Sequence, residues 1–294
     1  MDPKKLKNLL IDYLTEATKE VRKLAEKGKG REILGDVINR PEDVEIGIDR
    51  VGEEVLRKLI NKYKLRTTIF SEPDGRDITV GKNPEFFGSI DPFDGSVLYL
   101  RGFEHNWYTV LSFFDKKGNP ICGGVADILN EKLFISADDG NYMLDLKTGK
   151  KAKIFPSKRK SSSEPIVLAS YVMSSQYSSK FLDIFGDFLK KMHSKALLYP
   201  QGGSFIYAYL AAGLVDAYVM FDEPRSEIDP GFLIAKKAGC QVVTIDVDGK
   251  YKDYEFLPGR QHDKVDLLIA TSNTQIRDEL IKYYIKKYGE KYSF

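Results

Sequence analysis

Two aspartates, Asp91 and Asp94, stand three residues apart in Gly88-Ser89-Ile90-Asp91-Pro92-Phe93-Asp94-Gly95-Ser96. Pro92 has no N–H to give to a sheet ladder, so a strand reaching Asp91 must stop pairing there. The turn that follows brings both carboxylates to one side. Hard divalent cations prefer oxygen ligands, and a bridging aspartate can hold two of them. The Phe93 carbonyl can add a further oxygen. Gly95 allows a phosphate to approach the backbone closely. Ser96 falls where a helix could begin, and free N–H groups at such a start bind phosphate. The plainer alternative is a turn whose aspartates cap a helix, because Asp-Pro and Asp-Gly are ordinary turn dipeptides.

Other acidic residues fall at element ends. Glu72, in Ser71-Glu72-Pro73, follows an expected strand Thr67–Phe70. Asp229 lies between an expected strand Ala217–Phe221 and an expected helix Pro230–Ala238. Asp49 opens a helix expected to run to Tyr63. The helix dipole favours acids at helix starts in any case, which is the simpler account of Asp49 and Asp229. Competing chemistries match less well. Asp246-Val247-Asp248-Gly249 imitates the Asp-x-Asp of aspartyl-phosphate enzymes, but Lys250 follows and a hairpin turn explains it better. Neither Cys122 nor Cys240 precedes a phosphate-cradling loop ending in Arg, and His105, His193 and His262 lack metal-ligand spacing.

The surrounding elements are read from periodicity. Leu6, Leu9, Leu10, Tyr13, Leu14, Ala17 and Val21 give one apolar helical face over Lys4–Glu26. A loop with Gly35-Asp36 and Pro41 is expected next, then the Asp49 helix. Glu85–Ile90, Trp107–Phe114, Pro120–Asp127 and two shorter strands split by Asp139-Gly140 form an expected antiparallel meander under the helix pair. The basic stretch Lys147–Lys160 reads as a loop, and Ser161-Ser162-Ser163-Glu164-Pro165 as a linker. Beyond it strands and helices alternate: Ile166–Ser170, Gln176–Met192, Ala196–Tyr199, Ser204–Ala212, Ala217–Phe221, Pro230–Ala238, Val242–Ile245, Leu267–Ala270 and a final helix from Thr274. The fold class is α/β, with an α+β part at residues 1–160 and an α/β part at 165–294.

Composition narrows the function classes. The 294 residues carry 45 Lys plus Arg against 43 Asp plus Glu, a net charge of +2 that gives no electrostatic case for nucleic-acid binding. Two distant cysteines build no disulfide framework. No apolar stretch nears the ~20 residues that span a bilayer, and the charged N-terminus lacks the apolar centre of a signal peptide. A cytoplasmic protein without membrane partners is expected.

Taken in order, these motifs resemble the inositol monophosphatase-like, lithium-sensitive, metal-dependent phosphatases. The Asp-Pro-x-Asp-Gly-Ser hallmark is Asp91–Ser96, the upstream Glu segment is Ser71-Glu72-Pro73, and the downstream segment is Ile228-Asp229-Pro230-Gly231 followed by Ala238-Gly239. The likeness extends to the Asp49 helix, Gly203-Ser204, Asp248-Gly249 and Ala270-Thr271-Ser272-Asn273. Ser71 before Glu72 and Arg225 before Asp229 look most like the archaeal branch acting on inositol monophosphate and fructose 1,6-bisphosphate. Pro73 replaces the family's second Glu, and Pro230-Gly231 its usual alanine pair.

The resemblance implies a layered α-β-α-β-α sandwich and a phosphomonoesterase using two or three Mg2+, with Mn2+ as a substitute. Glu72, Asp91 and the Phe93 carbonyl would hold a first ion, and Asp91, Asp94 and Asp229 a second, roughly 4 Å away. Asp49 and Ser96 would orient and deprotonate the attacking water, and the Gly95 and Ser96 amides would hold the phosphate. Gly203, Ser204, Asp222 and Arg225 are candidates for gripping a small phosphorylated metabolite. Arg225 suits a distal phosphate, or equally an ion network with Asp222, Glu223 or Glu227. Alternatives are a 3′-phosphoadenosine 5′-phosphate or NADP phosphatase, and a metal-regulated pseudo-phosphatase subunit. A homodimer is expected.

Overall fold

A computed structural model describes residues 3–37, 40–72, 77–160, 164–246 and 250–292. The expected linker residues Ser161–Ser163, Pro73 and the Asp248-Gly249 hairpin lie outside the described residues. The chain runs α1 (Pro3–Ala25), β1 (Ile33–Val37), β2 (Arg40–Ile46), α2 (Gly47–Lys62), β3 (Thr67–Ser71), β4 (Ile78–Val80), β5 (Phe86–Asp94), α3 (Ser96–Leu100), β6 (Tyr108–Phe114), β7 (Pro120–Asp127), β8 (Lys132–Ala137), β9 (Gly140–Asp145) and β10 (Lys151–Lys153). It continues with β11 (Ile166–Ala169), α4 (Ser175–Met192), β12 (Ala196–Tyr199), α5 (Ile206–Ala211), β13 (Ala217–Pro224), α6 (Arg225–Ile228), α7 (Phe232–Ala238), β14 (Gln241–Ile245), β15 (Tyr251–Asp253), β16 (Lys264–Thr271) and α8 (Thr274–Tyr292).

Two sheets and three helical layers stack as the expected α-β-α-β-α sandwich. The eight-stranded sheet has the order β10-β9-β8-β7-β6-β5-β3-β4, and the six-stranded sheet β12-β11-β13-β16-β14-β15. Strand β6 shows why the first sheet is covered on both faces. Leu111 and Phe113 pack with Leu9, Tyr13 and Leu56 of α1 and α2. Val110 and Phe114 pack with Leu210 and Phe232 of α5 and α7. Every residue of β6 is buried, so its sequence Tyr-Thr-Val-Leu-Ser-Phe-Phe shows no apolar–polar alternation. On the outer face of the second sheet, Phe181 and Phe185 of α4 join Leu280 of α8 over Val219 and Ile269.

Several expectations are corrected. The stretch read as a loop around Gly35 and Pro41 is a two-stranded hairpin, β1 with β2. A proline is tolerated on a strand with a free edge, so Pro41 did not exclude it. The meander is not wholly antiparallel, because β3 pairs with β5 in parallel. The basic stretch read as loop contains β10, paired on β9. Strand β13 does not stop at Phe221; Glu223 and Pro224 still pair with Val265 and Lys264 of β16. The helix expected from Pro230 starts at Phe232, and a separate short helix, α6, precedes it.

Candidate active site

A cavity opens where β5 ends against the C-terminal layers. Glu72, Asp91, Phe93, Asp94, Gly95, Ser96, Gly203, Glu223 and Glu227 line it, with Asn106, Tyr171, Gln201 and Phe205. Strand β5 supplies Asp91 through its ladder with Val110, and the register slips between Asp91 and Asp94, as Pro92 requires. Behind the strand, the Thr109 hydroxyl donates to the Asp91 carbonyl at 3.3 Å, and Tyr13 and Thr109 hydroxyls lie 2.6 Å apart. Glu72 follows β3, its N–H donating to the Ile90 carbonyl at 3.3 Å. Neighbouring Ser71 donates to the buried Glu53 carboxylate at 3.1 Å.

Gly95 links β5 to α3 at φ +126°, and an added Cβ would meet the Asn106 carbonyl oxygen at 2.0 Å. The close backbone pass at Asn106 alone already requires glycine here. Ser96 begins α3, as expected. Its hydroxyl lies 3.2 Å from Asp49 Oδ1 and 2.9 Å from the Phe93 carbonyl oxygen, so it can donate to either. The other Asp49 oxygen accepts the Ile46 N–H at 2.7 Å, which fixes the carboxylate at the start of α2. Asp49 is not part of the cavity lining and reaches it through Ser96.

The C-terminal side brings a different set of residues from the one expected. Gly203 is in place, and an added Cβ would lie 2.7 Å from the Asp94 carboxylate oxygens. Ser204 is fully buried outside the lining, and its hydroxyl donates to the Glu227 carbonyl at 2.8 Å. Asp222 has φ +53° and an ion pair with Lys180 at 2.7 Å, away from the lining. Arg225 is buried and lines a second cavity. Asp229 also lies outside the lining. It is 1% exposed, and Tyr254 donates to its Oδ1 at 2.7 Å. Burial pushes its carboxyl up to about 7, against the opposing pull of Arg225 and the Tyr254 hydroxyl.

Glu223 and Glu227, which are not among the expected site residues, line the cavity on this side. In the sequence they stood out only as ion-pair partners for Arg225. Their four-residue spacing, across the junction of β13 and α6, was the signal available. The donor set is wholly oxygen, and five carboxylates around one cavity repel one another unless cations offset them. That chemistry fits Mg2+ or Mn2+. Among the described residues no three acidic, histidine or cysteine side chains already form a closed ligand cluster.

A family model described as "Inositol monophosphatase family" matches residues 2–285. The Nus factor SuhB of Pasteurella multocida is 25% identical over 246 residues, 79% of this chain and 84% of that protein. The fructose-1,6-bisphosphatase/inositol-1-monophosphatase of Thermotoga maritima is 25% identical over 231 residues, 76% of this chain and 81% of that protein. The crystal structure of the extragenic suppressor protein suhB of Bartonella henselae superposes with a TM-score of 0.73 at 17% identity, covering 96% of this chain and 98% of that one.

Proposed function

The chain belongs to the inositol monophosphatase family of metal-dependent phosphatases, and from that premise we propose that it hydrolyses small sugar or polyol phosphates with magnesium. Fructose 1,6-bisphosphate and inositol 1-phosphate are the proposed substrates, and the name of the Thermotoga relative supports that pair. The observation that carries the reading is the convergence of Glu72, Asp91, Asp94 and Glu227 on one cavity with Gly95 and Ser96.

Glu72, Asp91, the Phe93 carbonyl and Asp94 would hold magnesium, with Glu227 in the role first expected of Asp229. Bound magnesium would supply Lewis acidity toward the phosphoryl oxygens and make a water acidic enough to attack at neutral pH. The chain's own groups orient and deprotonate that water. Ser96 accepts its proton's hydrogen bond while donating to Asp49, whose carboxylate is held in place by the Ile46 N–H. Gly95 and Ser96, which line the cavity, would offer their backbone amides to the phosphate. Gln201, Glu223 and Tyr171 take over the hydroxyl-gripping role expected of Asp222 and Arg225, since they line the same cavity.

No helix among the described residues is long and apolar enough to cross a membrane. We infer a cytoplasmic homodimer. Two relatives bear the name Nus factor SuhB, which favours a second reading in which the chain also engages a partner. A phosphate-release panel of sugar, inositol and nucleotide phosphates with magnesium tests the first reading. Preference for a sugar or inositol phosphate supports it; a wide preference for a nucleotide contradicts the substrate class.

A further inference from the structure

The short helix α6 faces two cavities. Glu227 lines the acidic one, and Arg225, two residues earlier, lines another of about 350 Å³ between β14, β15 and β16. We propose that this second cavity binds a small phosphate-bearing metabolite and that its occupancy modulates the active site through α6.

The charge in the second cavity favours an anion. Arg225 is 8% exposed and its Nε has no hydrogen-bond partner. Its Nη2 donates to the Glu255 carbonyl, and the guanidinium stands 4.5 Å from the centre of the Tyr254 ring. Asp229 Oδ1 lies 3.9 Å from Nη2, beyond hydrogen-bond distance, and already accepts from Tyr254. A buried guanidinium so placed keeps unused capacity for a phosphate, which its fork can meet with two parallel bonds. Around it, the side chains of Lys250, Lys252 and Lys264 line the cavity and make no ion pair or hydrogen bond among the described residues. Arg260 is paired with Asp263. Asp246, Asp263 and Asp266 also line the space, so five cationic side chains stand against three carboxylates.

Coupling has a physical route. The Arg225 N–H donates to the Asp263 carbonyl at 2.9 Å and the Ser226 N–H to the Gln261 carbonyl at 2.7 Å, tying α6 to the wall of the second cavity. The next residue is Glu227, whose carbonyl is held by Ser204. A ligand that draws on Arg225 therefore loads the backbone that sets the Glu227 carboxylate. Couplings of this kind typically change affinity by about 5- to 150-fold.

The regulatory half rests on the proposed phosphatase activity; the binding half does not, so they are tested separately. In EDTA the acidic cavity repels phosphate, and calorimetry with inorganic phosphate reads the second cavity. Saturable binding is expected, weakened about tenfold or more in Lys252→Glu/Lys264→Glu and unchanged in Asp94→Asn. Absence of saturation, or equal binding by the double variant, overturns the site. With magnesium, sulfate should change the kcat/KM of the wild type by at least about threefold. The double variant should lose that response while keeping basal kcat/KM within about twofold. An identical sulfate response in the double variant overturns the coupling. If no phosphate ester is turned over, the proposed function fails and the calorimetric result alone decides the site.

Discussion

The Asp94 carboxylate accepts the backbone N–H of Phe205 at 2.9 Å, across 111 residues of chain. The bond joins the end of β5 to the start of α5, so the acidic cavity exists only when the two sheets are docked. Gly203 packs against the same carboxylate, leaving no room for a Cβ. Gly203→Ala is therefore expected to displace Asp94. It should lower turnover by at least about tenfold, more than an equally destabilising core change such as Ile234→Val, which typically costs about 1 kcal/mol. Melting and turnover measured together check this; a Gly203→Ala enzyme of normal rate would show that Asp94 tolerates the shift.

Asp94→Asn keeps an oxygen to accept from Phe205 but removes a charge. Loss of a charge clamp worth roughly 4 kcal/mol in the transition state corresponds to about a thousandfold in rate. Circular dichroism should be unchanged. Near-normal turnover with magnesium would exclude Asp94 from the metal site.

Glu227 and Asp229 can be told apart by isosteric amides. Glu227→Gln is expected to cost about a hundredfold or more in kcat, whereas Asp229→Asn should cost less than about tenfold. The reverse order would restore Asp229 as the ligand and remove Glu227.

Asp229 also predicts a pH dependence of the metal-free fold. Its carboxyl is raised from 3.8 to about 7 by burial, so between those values the folded chain holds a proton that the unfolded chain releases. That contribution is fully present below about pH 4 and is lost as pH rises toward 7, an effect of at most about 4 kcal/mol. Melting in EDTA across this range should fall more steeply for the wild type than for Asp229→Asn. Parallel curves for the two proteins would mean the folded carboxyl titrates normally.

Assembly is open to a mass measurement. Strand β12 is a free edge of the six-stranded sheet, and Leu197 on it is 60% exposed. Apolar side chains on an open edge favour association. Light scattering should give about twice 33.4 kDa, and a mass near 33.4 kDa would refute the dimer.

Much of this site could be read from one segment. Asp91, Phe93, Asp94, Gly95 and Ser96 are contiguous at a strand end, where a proline and a glycine dictate the backbone. The C-terminal contributors were harder to place. The four-residue α6 is too short to show helical periodicity, so neither the cavity position of Glu227 nor the Tyr254 bond to Asp229 shows in the sequence. Tyr254 and Glu255 come from a distant part of the chain, and they also set the direction of Arg225. Asp222 looked like the end of a strand, but the pairing of Glu223 with Val265 carries β13 past it. The β1–β2 hairpin was hidden by Gly35 and Pro41, which mark loops and strand edges alike. The layer order came with the family resemblance, whereas the long apolar patterns of α1, β6 and α4 placed those elements directly.

The proposed reaction is magnesium-dependent hydrolysis of a phosphate monoester at the acidic cavity. Its most direct test is phosphate release from fructose 1,6-bisphosphate and inositol 1-phosphate by the purified chain, in magnesium, after EDTA, and after magnesium is restored. Turnover that vanishes with EDTA and returns with the metal is the predicted result. Release that is indifferent to chelation, or absent from both substrates with magnesium and manganese alike, would contradict it.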